Sequence, residues 1–115
     1  MRIASAGTAA VFVLAFGAVA QADTVAVGVE DMTLYSFDND SAGKSTCYES
    51  CAANWPPYLG EPGETRGMGW TLVERTDGTM QWAYDGKPAY YFAGDTQAGD
   101  KNGDGRGGVW HVMME

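Results

Sequence analysis

The feature that most constrains this chain is a phrase of aromatic and acidic residues that occurs twice. Leu34–Asp40 reads LYSFDND and Ala89–Asp95 reads AYYFAGD, so both contain Tyr-x-Phe-x-x-Asp. When the chain is shifted by 55 residues, further uncommon residues coincide without a gap. The coincident pairs are Thr24 with Thr79, Tyr35 with Tyr90, Phe37 with Phe92, Asp40 with Asp95, and Trp55 with Trp110.

These coincidences predict an internal repeat, with copies at 24–60 and 79–115 joined by a linker or strand at 61–78. Repeated units of this size cannot bury their apolar faces alone and pack on a neighbouring copy. We therefore expect the two copies to share one core.

Each copy opens with the pattern of a β-hairpin. In the second copy, Asp85-Gly86 separates two apolar runs, and this dipeptide favours a two-residue turn because both central positions need positive φ. In the first copy, Glu30-Asp31 stands at the equivalent point. Counting outward from that dipeptide with a period of two puts one apolar row on a single face: Val25, Val27, Val29, Met32 and Leu34.

A third hairpin pattern, centred on Asp77-Gly78, pairs Val73 with Trp82. The strands of the resulting meander are expected near 70–75, 79–84 and 87–92. Apolar bulk lies on both faces of these hairpins, so both faces should be covered. The sequence thus predicts a mainly β fold, one small domain of two pseudo-symmetric hairpin repeats in a sandwich or barrel-like arrangement, with one short helix.

The predicted helix spans Cys47–Asn54. Thr46-x-x-Glu49 is a capping box that starts a helix, and the two prolines after Trp55 end it. Cys47 and Cys51, one helical turn apart, lie near the longest Cα separation that a disulfide tolerates. In an exported protein we still expect a disulfide here. A redox or metal-binding thiol pair is the alternative, since a helix start lowers the pKa of a thiol.

The N-terminal residues are typical of a secretory signal peptide. Arg2 precedes an uncharged run, Ile3–Ala20, and Ala20-Gln21-Ala22 fits the small-x-small cleavage pattern. We predict a signal peptide at 1–22 and a single domain at 23–115, with no membrane span after cleavage and a periplasmic or secreted location. The alternative is an uncleaved membrane anchor.

The charge of the chain limits its partners. The formal net charge is −8, and loss of Arg2 makes it −9. Nucleic acids and anionic membranes both require clustered Lys and Arg, so neither is expected as a partner.

Two interpretations of the repeated phrase follow from its residue types. In the first, the rings of Tyr35, Phe37, Tyr90 and Phe92 fill a core between the copies, while the aspartates bind loop amides. In the second, Asp40 and Asp95 face a shared site, where paired carboxylates do acid–base work if they are close and partly desolvated.

The last loop offers candidate metal ligands. Asp100-x-Asn102-x-Asp104-Gly105 matches the first half of a calcium-binding loop, and Asp95 precedes it, but His111 stands where a bidentate Glu is needed. His111 and Met113, two residues apart on a predicted strand, would suit copper(I). Packing is the alternative role for these residues.

The sequence contains no Gly-x-Ser-x-Gly elbow, phosphate loop or dinucleotide fingerprint. We therefore expect no catalytic residues, no enzyme activity and no cofactor.

The doubled phrase, with CYESCAANWPP between its copies and GGVWHV at the end, resembles a bacterial family of secreted repeats, or predicted lipoproteins, described by a Yx(F/W/Y)xxD motif. The resemblance extends from the first hairpin to His111 and implies an envelope-located two-repeat protein of uncharacterised function. It marks Asp100 and Asn102 as family positions. This chain lacks the acylated cysteine of the lipoprotein members, so membrane anchoring does not carry over.

The function predicted from the sequence is a non-enzymatic exported module that binds a ligand or envelope partner through its aromatic and acidic residues. The alternative is a metal-binding protein, with calcium at the Asp95–Asp104 loop or copper at His111 and Met113. A thiol redox protein that uses Cys47 and Cys51 is the third candidate.

Overall fold

The structure, a computed structural model, describes residues 24–115. In that range the chain is mainly β, with two sheets that do not close into a barrel and one short helix, which confirms the predicted fold class. The predicted signal peptide lies outside the described residues. The strands are β1 Tyr35–Phe37, β2 Leu59–Gly60, β3 Trp70–Glu74, β4 Met80–Tyr84, β5 Lys87–Pro88 and β6 Trp110–Val112, the helix is α1 Ser50–Asn54, and single 3-10 turns span Val29–Asp31 and Arg106–Gly108.

The two sheets are both antiparallel. β1 pairs with β6, so that Ser36 lies opposite His111 and Phe37 opposite Trp110. In the second sheet β4 is central: β2 and β5 pair with one part of it each, and β3 pairs along its whole length. No helix within residues 24–115 is long and apolar enough to cross a bilayer.

The final strand of each repeat pairs with the opposite repeat. β6 lies against β1, and just beyond it Met114 bridges Val25. Correspondingly, Pro57 bridges Tyr90 and β2 lies against β4. Each hairpin is therefore completed by a strand that the other copy supplies.

The backbone hydrogen bonds of this exchange repeat with the same shift of 55 residues. Met113 donates to the carbonyl of Leu34 at 2.9 Å, and Tyr58 donates to that of Ala89 at 3.0 Å. At the centre of the arrangement, the amide of Tyr35 donates to the carbonyl of Tyr90 at 2.7 Å and the reverse bond measures 3.0 Å. An approximate two-fold axis therefore passes between these two tyrosines.

Two hydrophobic clusters form the interior. The first core contains Ala26, Leu34, Trp70, Trp82, Ala89 and Met113. The second core lies at the approximate two-fold axis and contains Tyr35, Cys47, Trp55, Tyr90 and Trp110. Both clusters draw residues from both repeats, as expected for units that cannot bury their faces alone.

The predicted register of the first hairpin is wrong by one residue. Its loop has three residues, Val29–Asp31, because Gly28 donates to the carbonyl of Met32 at 2.9 Å. A shift of one residue moves every side chain to the other face. Ala26 is consequently fully buried, while Val29 is 63% exposed.

The hairpin between β3 and β4 differs from its prediction for the same reason. Val73 lies opposite Gln81, not Trp82. The loop has three residues, 76–78, since the amide of Arg75 bonds to the carbonyl of Thr79 at 2.8 Å. The expected strand at 87–92 is also shorter, because beyond β5 the chain leaves β4 and Tyr90 pairs with Tyr35 and Pro57.

The helix begins three residues later than the capping box predicts. Thr46 does not cap it: its amide and hydroxyl donate to Asp40 at 2.8 and 2.9 Å. Glu49 is the residue before α1 and has φ of 56°, which is incompatible with an earlier helical start. Cys47 therefore lies outside the helix. The expected disulfide between Cys47 and Cys51 is present, with a Cα separation of 5.2 Å that needs no unwinding of α1.

Candidate functional site

The repeated phrase joins the two halves by an exchange of hydrogen bonds. The hydroxyl of Tyr35 donates to Asp95 at 2.7 Å, and the hydroxyl of Tyr90 donates to Asp40 at 2.7 Å. Each tyrosine thus binds the aspartate of the opposite copy. Both tyrosines are fully buried, so these bonds form where an unmatched polar group is costly.

The second oxygen of each aspartate holds its own loop. Asp40 accepts from the amide of Thr46 at 2.8 Å, and Asp95 accepts from that of Asn102 at 2.9 Å. This arrangement matches the first interpretation of the phrase, in which rings fill the core and carboxylates bind loop amides. No hydrogen bond among residues 24–115 links the two carboxylates to each other or to a shared group.

The buried tyrosines are held in their neutral form. Burial raises the pKa of Tyr35 and of Tyr90 well above the ordinary value, and the hydrogen bond to a carboxylate raises it further. Because a carboxylate can only accept, each bond needs the protonated phenol as donor. The motif is therefore a pair of fixed donor–acceptor bonds at ordinary pH.

Four aromatic rings stack across the approximate two-fold axis. Trp55 and Trp110 lie face to face at 3.8 Å between ring centroids and 2° between planes. Phe37 stacks on Trp110 at 4.1 Å, and Phe92 packs on Trp55 at 4.4 Å with its plane tilted by 32°. Each phenylalanine of the phrase thus packs on the tryptophan of the other copy.

Arg75 is a buried charge that the sequence does not predict, and it is only 4% exposed. Its guanidinium donates to the amide oxygen of Gln81 at 2.7 Å, to the carbonyl of Cys47 at 2.8 Å and to the hydroxyl of Ser45 at 3.1 Å. Its position next to a predicted turn gives no signal of burial in the sequence. Its role is to bind the disulfide segment to β4.

A directional chain of hydrogen bonds connects Arg75 to the phrase. The only proton of the Tyr90 hydroxyl goes to Asp40, so Ser45 must be the donor in its 2.6 Å bond to Tyr90. The order of donation is then Arg75, Ser45, Tyr90, Asp40. A buried cation and a partly buried carboxylate are thereby connected through two hydroxyl groups.

The two ends of the aromatic stack have different surroundings. At one end, the guanidinium of Arg106 lies 4.9 Å from the centroid of Phe92 and donates to the carbonyl of Asn102 at 3.0 Å. At the other end, Phe37 borders an open cavity of about 320 Å³. We call this cavity the Phe37 groove.

Carboxylates dominate the charged lining of the Phe37 groove. Asp38, Asp40 and Asp85 face one cation, Lys87. Asp38 also lies 2.8 Å from the imidazole of His111, with both side chains about half exposed. The groove is therefore an open acidic site beside an aromatic ring, and it is the candidate functional site.

The structure does not bring the predicted metal ligands together. Asp100 accepts from the amide of Thr96 at 2.9 Å, and Asp104 accepts from that of Val112 at 3.1 Å. Asn102 lies in the same loop, where its backbone serves Asp95 and Arg106. Within residues 24–115 no group of three or more His, Cys, Asp or Glu side chains could hold an ion.

The two residues proposed for copper are also separated, whereas the two cysteines proposed for redox chemistry are joined in a disulfide. His111 is exposed at the groove side of β6, whereas Met113 is 3% exposed and belongs to the first core. Cys47 is fully buried beside the stacked rings and is bonded to Cys51.

Comparison with known proteins confirms the family resemblance. A family model described as a secreted repeat of unknown function matches residues 20–58 and 71–114. The searches of curated proteins and of solved structures gave no significant match. The two matched segments together cover more than half of the chain and contain one copy each of the exchanged Tyr and Asp. The chain thus belongs to the Lipoprotein_15 family of secreted repeats of unknown function and carries two copies of the repeat.

Proposed function

We propose that this secreted repeat protein is a non-enzymatic module that binds a cationic group of an envelope partner, such as an arginine or lysine side chain, in the Phe37 groove. One observation carries the proposal. At the Phe92 end of the aromatic stack the chain supplies its own guanidinium, Arg106, 4.9 Å from the ring. At the equivalent Phe37 end none of residues 24–115 places a cation over the ring, and the groove beside it is lined mainly by carboxylates.

The charge of the groove favours the same ligand. Three carboxylates and one lysine line it, so it carries two net negative charges before any contribution from His111. A cation over an aromatic ring gains about 0.5–2 kcal/mol, depending on how far it is desolvated. Because the groove is open, we expect a single arginine side chain to bind with a Kd on the order of 1 mM.

The arrangement of polar groups beside the groove supports a binding role over catalysis. A serine, a histidine and an aspartate do meet there, since Ser36 lies opposite His111 and His111 contacts Asp38. Within residues 24–115, however, no hydrogen bond joins the Ser36 hydroxyl to His111. Activation of a serine nucleophile by a histidine acts through such a contact.

The test is a nuclear magnetic resonance titration with N-acetyl-L-arginine amide, which carries one guanidinium and no other charge. We expect saturable shifts at the amides of Phe37, Asp38 and Gly86, and none of comparable size with N-acetyl-L-glutamine amide. The double substitution Asp38→Asn, Asp85→Asn should weaken binding by about thirtyfold, because each lost charge removes on the order of 1 kcal/mol at close range.

The matched control is Glu49→Gln, which removes one exposed carboxylate that makes no side-chain hydrogen bond to the start of α1. It should leave the affinity unchanged. Equal responses to the neutral and charged compounds, or a double variant that binds as well as the parent, would rule the proposal out.

A further inference from the structure

The segment Thr24–Gly28 uses only one of its two backbone edges. Thr24 and Ala26 donate to the carbonyls of Glu115 and Met113 at 3.0 and 2.8 Å, and Gly28 donates across its hairpin. In an extended chain the intervening residues, Val25 and Val27, direct their amides and carbonyls to the opposite edge. No group within residues 24–115 bonds to those amides or carbonyls.

The approximate two-fold symmetry shows what covers the same edge in the other half. The first hairpin loop is one residue longer than the turn at Asp85-Gly86, so residues before the loops correspond with a shift of 56. Val25 and Val27 then correspond to Gln81 and Ala83 of β4. These two residues pair with β3, opposite Val73 and Thr71. The edge that β3 covers in the second half is thus uncovered in the first half, as far as residues 24–115 extend.

The uncovered edge also lacks the features that normally prevent an edge strand from pairing with another chain. Exposed edges are usually protected by charged side chains, proline or bulges. Between Thr24 and Val29 there is neither a charged residue nor a proline, and Val29 and Met114 are 63% and 45% exposed. By contrast, β3, which is itself an edge strand, presents the exposed side chains of Thr71 and Glu74.

We propose that the Thr24–Val29 edge binds an extended segment of a partner protein, which adds to the hairpin as an antiparallel strand in the position that β3 takes in the other half. Main-chain hydrogen bonds to Val25 and Val27 hold the partner segment in place. The alternate apolar side chains of that segment contact the side chains of Val25, Val27 and Val29. The proposal is independent of the Phe37 groove.

The negative charge near the uncovered edge indicates which residues flank the apolar part of the partner segment. Glu30 and Asp31 follow the edge directly, and the whole chain carries a formal net charge of −8. A partner segment with basic residues on either side of its apolar part is therefore favoured. A second copy of this chain is disfavoured, because it has the same negative charge and because two such short strands bury far less than the roughly 1,200 Å² of a stable interface.

The decisive experiment is amide hydrogen exchange, read residue by residue, on the mature protein with and without a synthetic peptide. The peptide, Lys-Lys-Trp-Thr-Leu-Val-Lys-Lys, copies the apolar part of β3 between basic flanks. We expect the amides of Val25 and Val27 to exchange at least tenfold more slowly with the peptide present. The amides of Thr24, Ala26 and Gly28, which are bonded already, should not change.

A proline substitution tests the same edge by binding. Val27→Pro removes an amide that bonds to nothing within residues 24–115, so the thermal midpoint should stay within a few degrees. Peptide affinity should fall at least tenfold. The matched control is Glu74→Pro, at the outer edge of β3, which should bind the peptide like the parent. If the Val27 variant does not fold, hydrogen exchange on the parent protein decides.

Four results would overturn the proposal. Val25 and Val27 amides that are already protected without peptide would show that residues before Thr24 fill the edge. A concentration-dependent dimer that Val27→Pro abolishes would assign the edge to a second copy. Equal binding of a peptide with glutamates in place of the lysines would remove the charge argument. Protection that appears along β3 instead would locate the docking edge there.

Discussion

The side chains of the repeated phrase divide their work between the two halves of the molecule. The tyrosine hydroxyl donates a hydrogen bond to the aspartate of the other copy, and the phenylalanine packs on the tryptophan of the other copy. The aspartate then holds the loop of its own copy. At the scale of single residues, the phrase thus joins the two repeats, and the proposed ligand site lies beside it.

The neutral state of the buried tyrosines makes stability sensitive to alkaline pH. Unfolded tyrosine loses its proton near pH 10, whereas Tyr35 and Tyr90 in the folded chain keep theirs because burial raises their pKa. Above that pH the unfolded state binds fewer protons than the folded state, so stability falls as pH rises. We expect a loss of about 1–3 kcal/mol per pH unit above pH 10 in urea unfolding.

Substitution separates this effect from general alkaline damage. Tyr35→Phe and Tyr90→Phe should each reduce the slope of stability against pH by about a third, because burial also raises the pKa of Tyr91. Both substitutions lower stability at neutral pH. Tyr48→Phe, at a partly exposed phenol that accepts from the amide of Thr76, should leave the slope as steep. A stability that stays level to pH 11, or phenolate absorbance in the folded protein, would contradict the assignment.

The sequence predicts which residues lie at the interface between the two repeats, but it does not predict which copy each of them contacts. The rarity and spacing of Tyr35, Phe37, Tyr90 and Phe92 indicate that they are repeated, and their type indicates a core. Spacing alone does not show whether Tyr35 bonds to Asp40 of its own copy or to Asp95 of the other copy, because both copies carry the same residues at these positions. The burial of Arg75 is unpredictable for a related reason: two of its partners, Ser45 and Cys47, lie 30 and 28 residues away in the sequence.

At the scale of secondary-structure elements, turn chemistry decides only part of what is predictable, since Asp77-Gly78 has the same composition as Asp85-Gly86 but lies in a three-residue loop. Asp85-Gly86 forms the predicted two-residue turn, with Tyr84 opposite Lys87. Glu30-Asp31 is a poor turn dipeptide, and the chain there adopts a three-residue loop in which Glu30 and Asp31 have φ of 56° and 61°. A sequence without Gly or Asn at such positions does not specify the length of the loop. An error of one residue then moves Val25, Val27 and Val29 to the opposite face of the sheet.

The same loop predicts a stabilising substitution. A non-glycine residue in the left-handed region costs about 1–2 kcal/mol, while glycine costs somewhat less than that in lost unfolded-state freedom. Glu30→Gly should therefore raise the free energy of unfolding by about 0.5–1 kcal/mol in urea denaturation. The same change at Glu74, within β3, should lower it by a similar amount. If Glu30→Gly destabilises the protein as much as Glu74→Gly does, the positive φ of Glu30 is not a source of strain.

The helix shows a local signal overridden by a distant contact. Thr46-x-x-Glu49 has the composition of a capping box, yet Thr46 is bound by Asp40 of the repeated phrase. The aspartate holds the chain extended through Cys47, so α1 begins only at Ser50. The disulfide then closes across the junction between the extended segment and the helix.

At the scale of the whole molecule, exchanged strands make the two repeats one folding unit. The hairpin of each copy gains its third strand only when the final segment of the other copy pairs with it. The two halves differ in two places. Arg106 lies over Phe92, whereas none of residues 24–115 places a cation over Phe37. β3 covers β4, whereas the Thr24–Val29 edge has no cover within residues 24–115. The sequence predicted Phe37 and Asp40 as site residues, but Asp85 joins them only through the fold.

The most direct test of this account is a pair of double-mutant cycles in denaturant unfolding. Tyr35→Phe combined with Asp95→Asn joins residues of different repeats, and Tyr35→Phe combined with Asp40→Asn joins residues of the same repeat. The account predicts a coupling energy of about 1–3 kcal/mol for the first pair and less than about 0.5 kcal/mol for the second. Strong coupling of Tyr35 to Asp40, with none to Asp95, would show that each repeat bonds to itself and would contradict the exchanged arrangement.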